Sequence, residues 1–239
     1  MNIGFSGKVA LVAGGTGGLG SAVSLGFLEA GAHVVVTWRR EEEYAALRSG
    51  AGAHAAALEG RAADITDERT AADLVDEVLS RHGRLDAVVN TVGGYVGGIR
   101  LWELDEQVLD KMLQLNLRSG FALAHAVLPA MLKQRYGSFV NVAAKAAIDH
   151  GAGAAAYAAS KAAAVALVDS LAADTRGTGV RVNSVLPSII DTRPNRQAMP
   201  DADFASWPKP DDIAQVILFL CSDMARAIHG AAIPVYGNS

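Results

Sequence analysis

The stretch Gly14-Gly-Thr-Gly-Gly-Leu-Gly20 decides the fold of this chain because of what flanks it. The run from Lys8 to Ala13 before it is apolar, as is typical of a strand buried on both faces. Ser21 to Ala30 follows with helical spacing, and Gly31 supplies a stop signal for that helix. Glycines let a backbone approach a pyrophosphate, and a helix N-terminus binds one through its free N–H groups. The sequence therefore predicts a dinucleotide site, with a tight turn that binds no ligand as the alternative.

The rest of the chain continues this alternation of strands and helices. Further strands are predicted at His33 to Thr37, ending near Ala62 to Ile65, and at Leu85 to Asn90, Gly137 to Val142, Val180 to Leu186 and Ala231 to Tyr236. Further helices are predicted at Glu41 to Arg48, Asp67 to His82 with Thr66 as cap, Glu103 to Gln134, Ala154 to Asp174 and Asp211 to Ser222. Such alternation predicts an α/β fold, a single-domain doubly wound (Rossmann) parallel sheet of about seven strands with helices on both faces. We expect one domain over residues 1–239, with the proline-containing stretch 188–210 as a substrate lid.

Composition narrows the class of protein further. Hydrophobic residues make up 51% of the chain and charged residues 19%, which indicates a well-buried core. The net charge of −4 and the lack of clustered basic residues argue against nucleic acid or an anionic membrane as partner. We expect no transmembrane span, no signal peptide and, with one cysteine at Cys221, a cytoplasmic protein. The six histidines lack ligand spacing, so we predict no metal site.

The end of the second predicted strand bears on the choice of cofactor. An acidic residue there would bind the ribose 2′-hydroxyl of NADH and repel the 2′-phosphate of NADPH. This chain instead has Thr37-Trp38-Arg39-Arg40, with no acid before Glu41. Two guanidinium groups suit a phosphate, so we predict NADPH, with NADH possible. The alternative is that both arginines begin a solvated helix and pair with Glu41 to Glu43.

Tyr157 and Lys161 lie four residues apart on an Ala-rich helix and so share one face of it. An ammonium near a phenol favours phenolate and lowers its pKa from about 10. Tyr157 could then protonate the atom left anionic by hydride attack, while Lys161 holds the nicotinamide ribose. The order of glycine turn, Asn90 and the Tyr157/Lys161 pair predicts a nicotinamide-dependent reductase.

The whole chain resembles the short-chain dehydrogenases/reductases. The resemblance implies that cofactor-binding residues come from three places: the glycine turn, the ends of later strands and the stretch Pro187 to Thr192, near the nicotinamide amide. These residues are Gly14, Thr16, Gly18, Leu19, Gly20, Arg39, Arg40, Asp64, Ile65, Asn90, Gly93, Pro187, Ile190 and Thr192, together with Tyr157 and Lys161. It further implies that Asp64 meets the adenine, that Asn116 orders a proton relay, and that the Tyr157 helix builds a homodimer or homotetramer.

One departure from that family concerns the substrate. A Ser usually precedes the Tyr by thirteen residues, but this chain has Ala144, followed by Lys145. The segments Ala144-Lys-Ala-Ala147 and Val92-Gly-Gly-Tyr-Val-Gly-Gly98 are similar to those of dihydropteridine reductases, which also lack the Ser. An activated planar acceptor, such as a quinonoid dihydropterin or a quinone, needs that hydrogen-bond donor less than a ketone does. Lys145 either replaces the donor as a catalytic residue or points to solvent.

Two other functions stay open at this point. One is a carbonyl or 3-oxoacyl thioester reductase, in which Lys145 or a backbone N–H replaces the Ser. The other is a non-catalytic sensor that binds NADP(H) and signals through a partner. Among the aromatic residues, we expect Trp102 to anchor a loop, and Trp207 either to contact the substrate or to pack within the lid.

Overall fold

The computed structural model describes residues 3–239. Seven strands within this range form one parallel sheet in the order β3-β2-β1-β4-β5-β6-β7. The strands are β1 (Val9–Ala13), β2 (His33–Trp38), β3 (Leu58–Ala62), β4 (Ala87–Asn90), β5 (Gly137–Val142), β6 (Val180–Pro187) and β7 (Ala232–Val235). The order reverses between β1 and β4, which is where doubly wound sheets open a crevice at the carboxyl ends of their strands. The predicted fold class and strand number are confirmed.

Helices cover both faces of the sheet. They are α1 (Gly18–Glu29), α2 (Glu41–Gly50), α3 (Glu68–His82), α4 (Glu106–Leu113), α5 (Ser119–Gln134), α6 (Ala155–Asp174), α7 (Arg193–Ala198) and α8 (Pro210–Cys221). Strand β1 shows why its sequence is a continuous apolar run. Val12 packs with α1 and α8 on one face, while its neighbour Leu11 packs with α3 and α5 on the other. Both side chains are fully buried, so every position of this strand favours an apolar residue.

Two predictions about helices differ from the structure, and the start of one strand was not predicted. Strand β3 ends at Ala62, within the predicted ending, and begins at Leu58; because Glu59 and Arg61 alternate with small residues, this edge strand has no apolar run to indicate its start. The cap of α3 is Asp67, whose carboxylate accepts from the Thr70 N–H at 2.8 Å, and not Thr66. The predicted helix from Glu103 to Gln134 is divided by a π-helical turn over Gln114–Arg118. That turn carries Asn116.

By length and composition alone, one helix in the described range could cross a membrane, namely α6 (Ala155–Asp174). The expectation from the sequence was that the chain has no such span. The two differ because a helix rich in alanine has an apolar composition, although alanine itself is only weakly hydrophobic. Many helices of soluble cores pass the same test. Helix α6 contacts β6 and α4 and carries the fully enclosed Lys161, which gives it a place inside this fold.

Candidate functional site

Two cavities open at the carboxyl ends of the strands. The first, which we call the glycine-turn cavity, has a volume of about 240 Å³. It is bounded by the glycine turn, the ends of β2 and β3 and the segment after β4, with Gly14, Thr16, Gly17, Thr37, Trp38, Arg39, Glu43, Ala63, Asp64, Ile65, Thr91, Val92, Gly93 and Leu115 as lining residues. The second, which we call the Tyr157 cavity, has a volume of about 500 Å³ and includes Tyr157, Ala144, Lys145 and Tyr95.

The glycine turn has the shape that close approach of a ligand requires. Gly14 adopts a φ of +72°, a conformation that other residues rarely take. A Cβ on Gly20 would lie 2.1 Å from the carbonyl oxygen of Gly14, so this glycine allows the turn to close on itself. A Cβ on Gly18 would lie 2.8 Å from Cγ2 of Thr192, so Gly18 lets the start of the 188–210 segment lie over the turn.

Helix α1 begins with free N–H groups. Its N-cap residue, Gly17, has no side chain to accept from them, and the first turn contains no acidic residue. These donors and the positive end of the helix dipole suit a diphosphate. The turn therefore fits the pyrophosphate of a nicotinamide dinucleotide, and Leu19 is buried beneath it.

Charged side chains lie at the outer end of the glycine-turn cavity. The Arg39 guanidinium pairs with the Asp64 carboxylate at 3.1 Å, and Asp64 also accepts from the backbone and hydroxyl of Thr66. Partial burial raises the pKa of Asp64, but the hydrogen bonds from Thr66 and the charge of Arg39 outweigh it, so that pKa lies below its ordinary value. Arg40 does not line the cavity; its guanidinium pairs with Glu43 instead.

Polar side chains behind the segment after β4 form a buried network. Asn116 accepts from the Gly94 N–H at 2.9 Å and donates to the Gly94 carbonyl at 3.0 Å, which clamps this segment. It also donates to the Ser160 hydroxyl on α6 at 3.0 Å. Asn90 lies deeper, where it donates to Asn141 at 2.9 Å and accepts from the Val92 N–H at 3.2 Å. In this structure Asn90 therefore shapes the turn and does not line either cavity.

Lys161 is buried behind Gly93, which lines the glycine-turn cavity. Its Nζ donates to the Val142 carbonyl at 3.0 Å and lies near Gly93, where a Cβ would come within 3.2 Å of it. Burial lowers the pKa of Lys161 to about 8. A glycine at position 93 keeps this ammonium and the Asn116 amide open to a ligand in the glycine-turn cavity.

Tyr157 stands on the wall of the second cavity. Burial, followed by the nearby phenol of Tyr95, raises the pKa of Tyr157 to about 12. The rings of Tyr157 and Tyr95 meet edge to face, with centroids 4.9 Å apart. The sequence predicted that Lys161 lowers this pKa, but within the described residues its ammonium bonds to Val142 and not to the phenol. Tyr157 is therefore protonated at neutral pH.

Lys145 lines the Tyr157 cavity, as it must if it replaces the hydrogen-bond donor that a Ser would supply. Its ammonium lies 5.1 Å from the ring centroid of Tyr236 and 3.7 Å from the Asp149 carboxylate. Ala144 lines the same cavity through its methyl group and presents no hydroxyl to it. The Lys145 ammonium is thus held within the same cavity wall by Asp149 and the ring of Tyr236.

Residues of the predicted lid line the Tyr157 cavity and contact the glycine turn. Ile190 lines that cavity, as does Pro187 at the end of β6, and Thr192 contacts the glycine turn and caps α7 by accepting from Asn195 N–H at 3.4 Å. Trp207 is only 7% exposed and packs against Phe204, so it anchors this segment and does not face the substrate cavity. The expectation for Trp102 is wrong: its ring is 80% exposed.

Sequence reasoning missed several residues of the site. Asn195 and Met199 line the Tyr157 cavity, and Glu43 lines the glycine-turn cavity; Tyr95, which the sequence offered as a pocket aromatic, also lines the Tyr157 cavity. Glu43 belongs to a run of three glutamates that begins a helix, which in sequence resembles any solvated helix start. Among the described residues, no three His, Cys, Asp or Glu side chains are grouped as a metal site would need.

A comparison with protein-family models decides the family. The model for short chain dehydrogenases matches residues 8–203. The chain belongs to the short-chain dehydrogenase family. Members of this family are NAD(P)-dependent oxidoreductases that act on small molecules, and the chain is such an enzyme.

Individual relatives match this short-chain dehydrogenase along nearly its whole length. A 3-oxoacyl-(acyl-carrier-protein) reductase, FabG of Thermotoga maritima, is 32% identical over 97% of both chains. D-threitol dehydrogenase of Mycolicibacterium smegmatis is 34% identical over 97% of this chain and 92% of its own. A solved short-chain type dehydrogenase/reductase from Mycobacterium ulcerans superimposes with a TM-score of 0.93 at 29% identity, covering 98% of this chain and 90% of its own. The narrower resemblance to dihydropteridine reductases is not supported by these comparisons.

Proposed function

We propose that this short-chain dehydrogenase is an NADPH-dependent carbonyl reductase whose substrates are 3-oxoacyl thioesters or comparable ketones. The observation that carries the proposal is the phenol of Tyr157 on the wall of the second cavity, four residues before the buried Lys161 on the same helix. A 3-oxoacyl reductase is among the relatives that match over nearly the full chain. Arg39 in the glycine-turn cavity supports NADPH over NADH, and NADH is the weaker alternative.

The residues suggest a division of labour. The nicotinamide dinucleotide supplies a hydride when bound. Tyr157 donates its phenolic proton to the substrate oxygen, and its high pKa keeps that proton available across the neutral range. Lys161 places a positive charge behind Gly93, where it can bind a ribose hydroxyl, and Asn116 holds the Gly94 backbone against α6. Lys145 places a positive charge in the cavity where oxyanion charge develops.

A second candidate function is reduction of an activated planar acceptor, such as a quinonoid dihydropterin or quinone. Two observations favour it: Ala144 offers no hydroxyl to a ketone, and the exposed ring of Tyr95 extends the wall beside Tyr157. The 3-oxoacyl reductase among the relatives favours the carbonyl substrate instead. A purely sensing role has no support, because the family is enzymatic.

Three broader features of the enzyme are also proposals. We propose that residues 188–210 act as a lid, since Thr192 contacts the glycine turn and Asn195 and Met199 line the Tyr157 cavity. We propose a homodimer or homotetramer built on the small residues that α6 exposes, and no nucleic-acid or membrane partner. A cytoplasmic location is supported by the buried Cys221, whose pKa burial raises to about 12 and which has no second cysteine to pair with.

The test is initial-rate oxidation of NADPH with an acetoacetyl thioester, a quinonoid dihydropterin and an ortho-quinone. We expect turnover of the thioester, and a loss of at least about 100-fold in Tyr157→Phe with NADPH binding retained. Tyr136→Phe, at a phenol that pairs with Lys8 and Asp223 far along the chain, is the matched control and should keep its rate. Turnover of the pterin or quinone without the thioester would transfer the assignment to the second candidate.

A further inference from the structure

The carboxylate of Glu43 occupies the outer end of the glycine-turn cavity, together with Thr16, Arg39 and Asp64. This end is next to the carboxyl end of β2, where enzymes of this architecture distinguish a ribose 2′-hydroxyl from a 2′-phosphate. The usual acidic residue at the end of that strand is replaced here by Trp38 and Arg39. Glu43 comes instead from the first turn of α2.

The contacts of Glu43 hold it toward the cavity. Its Oε2 accepts from the Thr16 hydroxyl of the glycine turn at 3.2 Å, and its Oε1 pairs with the Arg40 guanidinium. The next residue, Tyr44, stacks on Trp38 with ring centroids 5.9 Å apart and fixes this turn of α2 against β2. The Glu43 side chain is 32% exposed, so a ligand in the cavity can reach it.

These ion pairs make Arg39 and Arg40 less available to bind a 2′-phosphate. Arg40 is engaged by Glu43 outside the cavity lining, and Arg39 is engaged by Asp64. A dianionic 2′-phosphate at this end would meet Arg39 together with the negative charge of Glu43. A 2′-hydroxyl would meet a carboxylate, which is an acceptor that suits it.

We infer that Glu43 supplies, from α2, the carboxylate that is absent from the end of β2, and that it sets the preference between NADPH and NADH. It favours the 2′-hydroxyl directly, opposes the 2′-phosphate by charge, and withholds Arg40 from that phosphate. All three effects favour NADH relative to NADPH. The inference rests on the proposed function: Arg39 favours NADPH at this end of the cavity, and Glu43 is the residue that weakens that preference.

The test measures binding of NADP⁺ and NAD⁺ to the whole protein by titration calorimetry, without a carbonyl substrate. Glu43→Gln removes the charge and keeps the shape of the side chain. Glu42→Gln is the matched control. Glu42 is an exposed neighbour on the same turn and does not line the cavity, and its replacement changes the net charge of the protein by the same amount. We expect Glu43→Gln to raise the ratio of NADP⁺ to NAD⁺ affinity about tenfold or more, and Glu42→Gln to change it less than twofold.

A minimal pair of probes isolates the group concerned. Adenosine 2′,5′-bisphosphate and 5′-AMP differ only in the 2′-phosphate, so their affinities should follow the same order. Equal ratios in Glu43→Gln and Glu42→Gln would overturn the inference. Because neither readout requires turnover, failure of the 3-oxoacyl assignment leaves this result unaffected, and the reverse also holds.

Discussion

Burial moves the pKa values of Tyr157 and Lys161 in opposite directions. Burial favours the neutral phenol of Tyr157 and raises its pKa to about 12. Burial disfavours the charged ammonium of Lys161 and lowers its pKa to about 8. Both groups are protonated at neutral pH, as an acid and a ribose-binding cation should be. As pH rises, Lys161 therefore loses its proton before Tyr157 does.

The pH profile of reduction follows from these values. We expect kcat/KM to be level below about pH 7 and to fall as pH rises through about 8, because Lys161 loses its charge while Tyr157 is still protonated. Initial rates from pH 6 to 10 with saturating NADPH and low substrate would measure this. A profile that stays level to pH 10 would show that Lys161 remains charged throughout.

Lys145 offers a second prediction at this scale. If its ammonium stabilises the developing oxyanion, Lys145→Met should lower kcat by about 100-fold. The double variant Lys145→Met/Ala144→Ser should recover much of that loss, because a hydroxyl then lines the same wall. Lys133→Met, at an exposed position of α5, should behave as wild type. An unchanged kcat in Lys145→Met would assign the oxyanion to a backbone N–H.

The π-helical turn between α4 and α5 is the element that positions the site most directly. Such a turn inserts a residue into the helical register, and here it directs Asn116 toward Gly94 and Ser160. A regular helix over the same stretch would displace Asn116 from both partners. The irregularity thereby joins the segment after β4 to the helix that carries Tyr157 and Lys161.

Helix α3 provides a stability test away from the site. Its cap, Asp67, accepts from the Thr70 N–H and the Thr70 hydroxyl, both at 2.8 Å. Asp67→Ala should lower the Tm by about 2–4 °C for a chain of this size, measured by circular dichroism, because the first turn of α3 loses its cap. Asp73→Ala, at an exposed position in the middle of the same helix, should leave Tm within about 1 °C.

At the scale of the whole molecule, α6 carries the proposed catalytic pair on one side and the proposed subunit interface on another. One side of this helix carries Tyr157 and Lys161 into the site, while Ala155, Ala159 and Ala166 are exposed on another. Their spacing places them along one stripe of small side chains, which permits a second helix to approach closely. A subunit interface on this stripe would support the same helix that holds the catalytic pair.

The assembly prediction can be tested by light scattering after size-exclusion chromatography. We expect a dimer or tetramer for the wild-type chain, and a smaller species for Ala166→Glu because a carboxylate would be buried at the interface. Ala72→Glu, at an exposed alanine of α3, serves as control and should keep the wild-type mass. A monomeric wild-type chain would rule out this interface.

Much of the fold and part of the candidate site follow from local rules. Strand β5 was predicted with the bounds that the structure has, because all its residues are buried and most of them are small or apolar. Only the end of strand β3 was predicted, since an edge strand tolerates Glu59 and Arg61 and so resembles a loop. Of the predicted site residues on the glycine turn and α6, Gly14, Thr16 and Tyr157 line the cavities, whereas Gly18, Leu19, Gly20 and Lys161 do not, nor do Arg40 and Asn90.

By itself, the sequence determined the α/β class, the glycine turn, the Tyr157/Lys161 pair and the family resemblance, since each depends on spacing along one or two neighbouring elements. Only the tertiary structure decided that Lys161 bonds to Val142, that Trp207 is buried, and that Glu43 reaches the glycine turn. Each of these contacts joins elements whose relative placement depends on packing across the whole sheet. Desolvation, and with it the pKa of an enclosed side chain, likewise follows from everything that surrounds the residue.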